Sequence, residues 1–184
     1  MPLTPEVLTA QGEVVAWLGS LGVSFAPDEE RWFTIDGVES PRQLGSDGSG
    51  GAFVLLPARN VLYVSSEGRA GIIAESFEAF VQLVVAHPYW LDILKFSAGG
   101  DLEQMRRAAD ALEATLDEED EVNEAREEIR MRLDMAEPHD PVGALYEAVA
   151  ASGAIVRATD GSPFTTLFNR FSIDNNPMLR NAAA

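Results

Sequence analysis

Between Trp32 and Ala74 the chain is punctuated by turn signals at short intervals, leaving no room between them for a helix. Asp36-Gly37, Asp47-Gly48 within the run Gly45–Gly51, Pro57-Ala58-Arg59-Asn60 and Glu67-Gly68 separate short apolar stretches. Trp32, Phe33 and Ile35, then Val38–Leu44, Phe53–Leu56, Val61–Ser65 and Gly71–Ala74 read as strands. Phe53–Leu56 and Val61–Ser65 form a hairpin closed by Pro57–Asn60. Successive strands joined by tight turns pair antiparallel, because a parallel neighbour needs a long crossover. The expectation is one antiparallel β-meander sheet from about Arg31 to Ala74. Helices before and after it, packed mainly on one face, make the fold class α+β.

The flanking helices follow from spacing and caps. Val7, Leu8, Val14, Val15, Leu18 and Leu21 fall near helical spacing, predicting a helix from about Pro5 to Leu21 with Gly22 as its terminator. Ser76 is a suitable N-cap, and Glu78 suits the positive first turn behind it. Phe77, Phe80, Val81, Val84 and Val85 then form one apolar stripe, which His87-Pro88 interrupts. Tyr89–Phe96 is a shorter apolar segment ending at Gly99-Gly100. Trp32, Phe53, Leu55, Val61, Tyr63, Ile73, Phe77, Phe80 and Val84 are the expected core.

Composition changes after Gly100. Residues 101–137 hold 14 acidic and 5 basic side chains, which is −9 of the chain's −17. Leu102, Met105, Ala109, Leu112 and Leu116, then Val122, Ala125, Ile129 and Leu133, keep helical spacing. Two antiparallel helices broken near Asp117–Asp120 are expected. Arg126 and Arg130 read as surface partners of Glu124, Glu127 and Glu128. Asp140-Pro141 opens another helix with body Ala144–Ala151 and stop Gly153. Ala154–Ala158 reads as an edge strand, and Asp160-Gly161 as a turn before Phe164–Phe168.

The chemistry on offer is limited. The 184 residues hold no cysteine, which removes thiolate nucleophiles, disulfides and cysteine-ligated metals together. His87 and His139 lie about fifty residues apart, a poor basis for a metal site, and each reads as a cap or surface residue. Ser49 in Gly48-Ser49-Gly50 leads into a strand, not the helix a nucleophile elbow requires. Gly45–Gly51 lacks the lysine and hydroxyl residue of a phosphate loop. Asp117–Glu121 lacks the spaced oxygens and central glycine of a calcium loop. The one enzymatic option is a hydrolase using paired carboxylates, for which Asp47 and Glu75 are the candidate pair. No cofactor and no metal are expected. The 30 acidic against 13 basic residues disfavour nucleic acid and favour a basic protein partner. No signal peptide or membrane span is evident, so the expected location is cytoplasmic.

The stretch Gly45-Ser46-Asp47-Gly48-Ser49-Gly50-Gly51-Ala52-Phe53-Val54-Leu55-Leu56, read with Ile73-Ala74-Glu75-Ser76-Phe77-Glu78-Ala79-Phe80, resembles the core of the SUKH superfamily. The resemblance covers about Leu44–Phe96. It implies a non-catalytic protein-binding domain, many bacterial members being immunity proteins against toxins. It implies a SUKH-like α+β core over about 1–99 of a single domain 1–184, with a helical extension over about 100–184. Two surfaces then compete for a partner, which would be a basic toxin domain. One is the open side of the sheet with Asp47, Glu67 and Arg69 at its rim. The other is the acidic stretch Asp117, Glu118, Glu119 and Asp120 with the helix beyond. Affinity is expected at the rim and rapid encounter from the acidic helices. The alternative function is a housekeeping scaffold or regulatory adaptor.

Overall fold

The computed structural model describes residues 2–26, 31–116 and 120–182. The protein is α+β. Two short helices, α1 (Pro5–Thr9) and α2 (Gly12–Ser20), lead into the strands β1 (Phe33–Ile35), β2 (Arg42–Ser46), β3 (Ala52–Leu55), β4 (Val61–Val64) and β5 (Ala70–Ala74). Helices α3 (Phe77–Ala86), α4 (Trp90–Lys95), α5 (Leu102–Leu116), α6 (Asp120–Leu133) and α7 (Pro141–Ala150) follow. Strand β6 (Val156–Ala158), a single 3-10 turn at Ile173–Asn175 and helix α8 (Pro177–Ala182) complete the order among the described residues.

The single N-terminal helix expected over Pro5–Leu21 is two helices. Thr4 caps α1 through a hydrogen bond from the Val7 N–H. A new start follows at Gln11-Gly12, where glycine favours a break over continuation. Ser76 caps α3 through the Ala79 N–H at 3.1 Å, as its sequence position predicts.

Strands β2-β3-β4-β5 form an antiparallel meander, but β1 does not join it. It pairs instead with β6, in the register Phe33 opposite Ala158 and Ile35 opposite Val156. Arg157 ties this ribbon to Asp36 by an ion pair of 2.8 Å. The expected strand over Val38–Leu44 is displaced to β2, which extends through Gly45 into the glycine-rich run.

The ribbon covers the face of the sheet that the sequence left open. Val54, Leu56, Leu62 and Val64 point to that side and pack under Phe33, Ile35 and Val156, forming a second core. Trp32 lies half-buried over it, with its ring 5.8 Å from that of Phe164. On the opposite face, Leu44, Phe53, Val61, Tyr63 and Ile73 meet Phe77, Phe80 and Val84 of α3, Trp90 and Ile93 of α4, and apolar side chains of α1, α2, α5, α6 and α7. Of the expected core, Leu55 and Trp32 are half-buried and the rest are buried.

Candidate functional site

The glycine-rich run is built around Asp47. Its Oδ1 accepts the N–H of Ser49 and of Gly51, both at 2.8 Å, and the Ser49 hydroxyl at 2.9 Å. Its Oδ2 accepts the Tyr63 hydroxyl from β4. Burial pushes the Asp47 carboxyl upward, yet the hydrogen bonds from Tyr63, Gly51 and Ser49 outweigh it and hold the group below the usual carboxylate range. Burial and the Asp47 carboxylate together raise the Tyr63 phenol. Two glycines make room: a Cβ at Gly51 would lie 2.3 Å from the Tyr63 oxygen, and one at Gly45 only 1.9 Å from the Ser24 carbonyl oxygen. Asp47 is thereby spent on its own loop.

Arg69 is spent as well. Its guanidinium donates to the carbonyls of Thr166 at 3.0 Å and Phe168 at 3.2 Å, fastening the C-terminal segment across this end of the sheet. Of the three rim residues expected to meet a partner, only Glu67 is exposed, Asp47 and Arg69 being half-buried. Glu67 and Arg69, but not Asp47, line a cleft of about 600 Å³, which also holds Asp92, Lys95 and Phe171. The sheet side behind that rim, expected to be open, is covered by the β1–β6 ribbon.

The carboxylate pair does not form. Ser46 lies opposite Ala52, and Val64 opposite Ala70, placing Asp47 at one end of the sheet. Ala74 lies opposite Val61 at the other end, with Glu75 beyond it. The length of β4, about 13 Å at 3.3 Å per residue, separates the two carboxylates. Glu75 opens instead onto a groove of about 550 Å³ between α3, α7 and the end of β5. His139 is exposed at its margin, and Asp140 there caps α7 through the Gly143 N–H at 2.9 Å and pairs with Arg106 at 2.6 Å.

The acidic helices form as expected, and Asp120 is exposed at the start of α6. Asp117, Glu118 and Glu119 lie outside the described residues. Arg126 departs from its expected surface role: only 8% of it is exposed. Its Nε and Nη2 donate to the carbonyls of Val85 and Ala86 at 2.9 and 2.8 Å, closing the C-terminal end of α3. Its Nη1 donates to Glu113 on α5 at 2.8 Å. Glu113 also accepts the Tyr89 hydroxyl, which lies 3.2 Å from His87 Nδ1. Burial lowers the His87 imidazole, with Arg126 adding to that and Glu113 opposing it. Opposite this anchored side, Asp120, Glu124 and Glu127 follow helical spacing along the exposed face of α6.

Among the described residues no helix is long and apolar enough to cross a membrane. No protein-family model, curated protein or solved structure matches this chain.

Proposed function

We propose that this chain is a non-catalytic, SUKH-type binding module that forms a stoichiometric complex with a basic toxin domain and neutralises it. The observation that carries the reading is the α6 face. Asp120, Glu124 and Glu127 present carboxylates outward, while Ala125, Arg126 and Ile129 lock the opposite side of the helix into the core. A fixed array of like charge raises the encounter rate with a cationic partner and costs little further ordering on binding. The resemblance adds that such an acidic domain acts by occlusion. The resemblance rests on a turn–strand–strand–helix order, and the glycine-rich turn, β3, β4 and, after β5, the capped helix α3 support it. Asp47, Arg69, Glu113 and Arg126, charged groups with several partners each, serve the scaffold, which suits a binding role over a chemical one.

If a toxin with a C-terminal catalytic domain is encoded beside this gene, co-expression with that domain tests the reading. Growth should be restored, and the two chains should co-purify at equal stoichiometry. Changing Asp120, Glu124 and Glu127 to their amides should slow association about tenfold at low salt, with dissociation nearly unchanged. Persistent toxicity with both proteins soluble would overturn the proposal.

A further inference from the structure

We infer that the groove between α3, α7 and the end of β5 is the seat for a basic side chain of the protein partner, an arginine or lysine flanked by apolar residues. The inference rests on the binding-module reading only in taking the occupant to be part of a protein. The groove, about 550 Å³, has an apolar floor to which Ile72, Ala79, Leu83 and Ala148 contribute. Glu75 and Glu147 stand exposed at its lip, and neither joins an ion pair or a side-chain hydrogen bond among the described residues. The third carboxylate, Asp140, is already committed to Arg106 and the Gly143 N–H. Among the described residues no lysine or arginine lines the groove, so the charge of Glu75 and Glu147 is uncompensated from within.

The cleft at the other end of the sheet lacks this asymmetry, because Lys95 and Arg69 contribute their own positive charge there. A long basic side chain matches the groove in both respects. Its aliphatic stem covers apolar floor while its cationic head reaches the carboxylates at the lip. Gln82 in the lining adds a side-chain carbonyl that can accept from such a head. Rigid elements hold the walls: α3 begins at the Ser76 cap and α7 at the Asp140 cap, so little ordering is required on binding.

The test is an amide-resolved NMR titration of the full chain with acetyl-Leu-Arg-Leu-amide at about 0.15 M salt, where exposed charges are screened beyond about 8 Å. The same peptide with citrulline in place of arginine is the neutral control. Shifts should concentrate at residues 74–79 and 144–148, and only with the arginine peptide. Glu75→Gln with Glu147→Gln should weaken binding about tenfold, and Glu39→Gln with Asp160→Asn, an equal loss of charge elsewhere, by less than about twofold. Equal weakening by the two doubles, or equal binding of the citrulline peptide, would overturn the site in favour of the diffuse field. Groove amides that shift with protein concentration before peptide is added would overturn it in favour of a second copy of this chain. If toxin neutralisation fails while the tripeptide seats here, the immunity reading falls and the groove stands. Neutralisation by a chain whose groove ignores the peptide removes the groove alone.

Discussion

A single methyl group should separate three glycines that lie within seven residues of each other. At Gly45 it would strike the Ser24 carbonyl, backbone that the paired Ser24 and Ser46 hold in place. At Gly51 it would strike the Tyr63 hydroxyl, which is pinned by Asp47. At Gly48 it would meet nothing within 4 Å. Gly45→Ala and Gly51→Ala should each cost about 1–3 kcal/mol in urea unfolding, and Gly48→Ala under about 0.5 kcal/mol. Equal losses at all three would refute the packing account. The turn itself is visible in the order Asp47-Gly48, since a carboxylate that accepts nearby N–H groups is a local device. Tyr63, 16 residues further on, is not visible there. Its approach depends on the register that places it opposite Phe53 across β3 and β4, which no short window contains.

Arg126 joins three elements, taking the last carbonyls of α3 and a carboxylate of α5 from its position on α6. Glu113 is partly exposed, so removing the guanidinium chiefly leaves two buried carbonyls without their partner, at about 1–3 kcal/mol. Arg126→Met should lose that much in thermal or chemical unfolding. Arg126→Lys should recover little, because one ammonium cannot span the four acceptors that the guanidinium reaches, Val85 O, Ala86 O, Glu113 Oε1 and Asn123 Oδ1. Arg130→Gln on the same helix should lose under about 1 kcal/mol. A mild Arg126→Lys would show that charge, and not the fork, is what matters. The position could have been found in the sequence. Arg126 falls within the stripe Val122, Ala125, Ile129, Leu133, where its neighbours at four before and three after are apolar. Counting its acidic neighbours gave the opposite answer, because charge proximity along a helix says nothing about which side meets the core.

For the molecule as a whole, a net charge of −17 opposes compaction through self-repulsion. Raising sodium chloride from about 0.02 to 0.3 M should raise Tm by about 2–4 °C, corresponding to roughly 1 kcal/mol for a chain of this size. A falling Tm would mean that ion pairs such as Arg132 with Glu13 outweigh the repulsion. The β3–β4–β5–α3 order was legible because each step is local: apolar run, turn, apolar run, cap. The covering of the second sheet face was written less plainly, in the unbroken apolar run Val61-Leu62-Tyr63-Val64, all four of which are buried. What covers it was illegible, since Asp36 and Arg157, which tie the ribbon together, are 121 residues apart. That separation also sets a calendar for synthesis. When the ribosome has delivered residues up to Gly153, β6 does not yet exist, and Val54, Leu62 and Val64 face water beneath an unpaired β1. The chain is born with an oily side uncovered, and one of its latest-made strands is the patch.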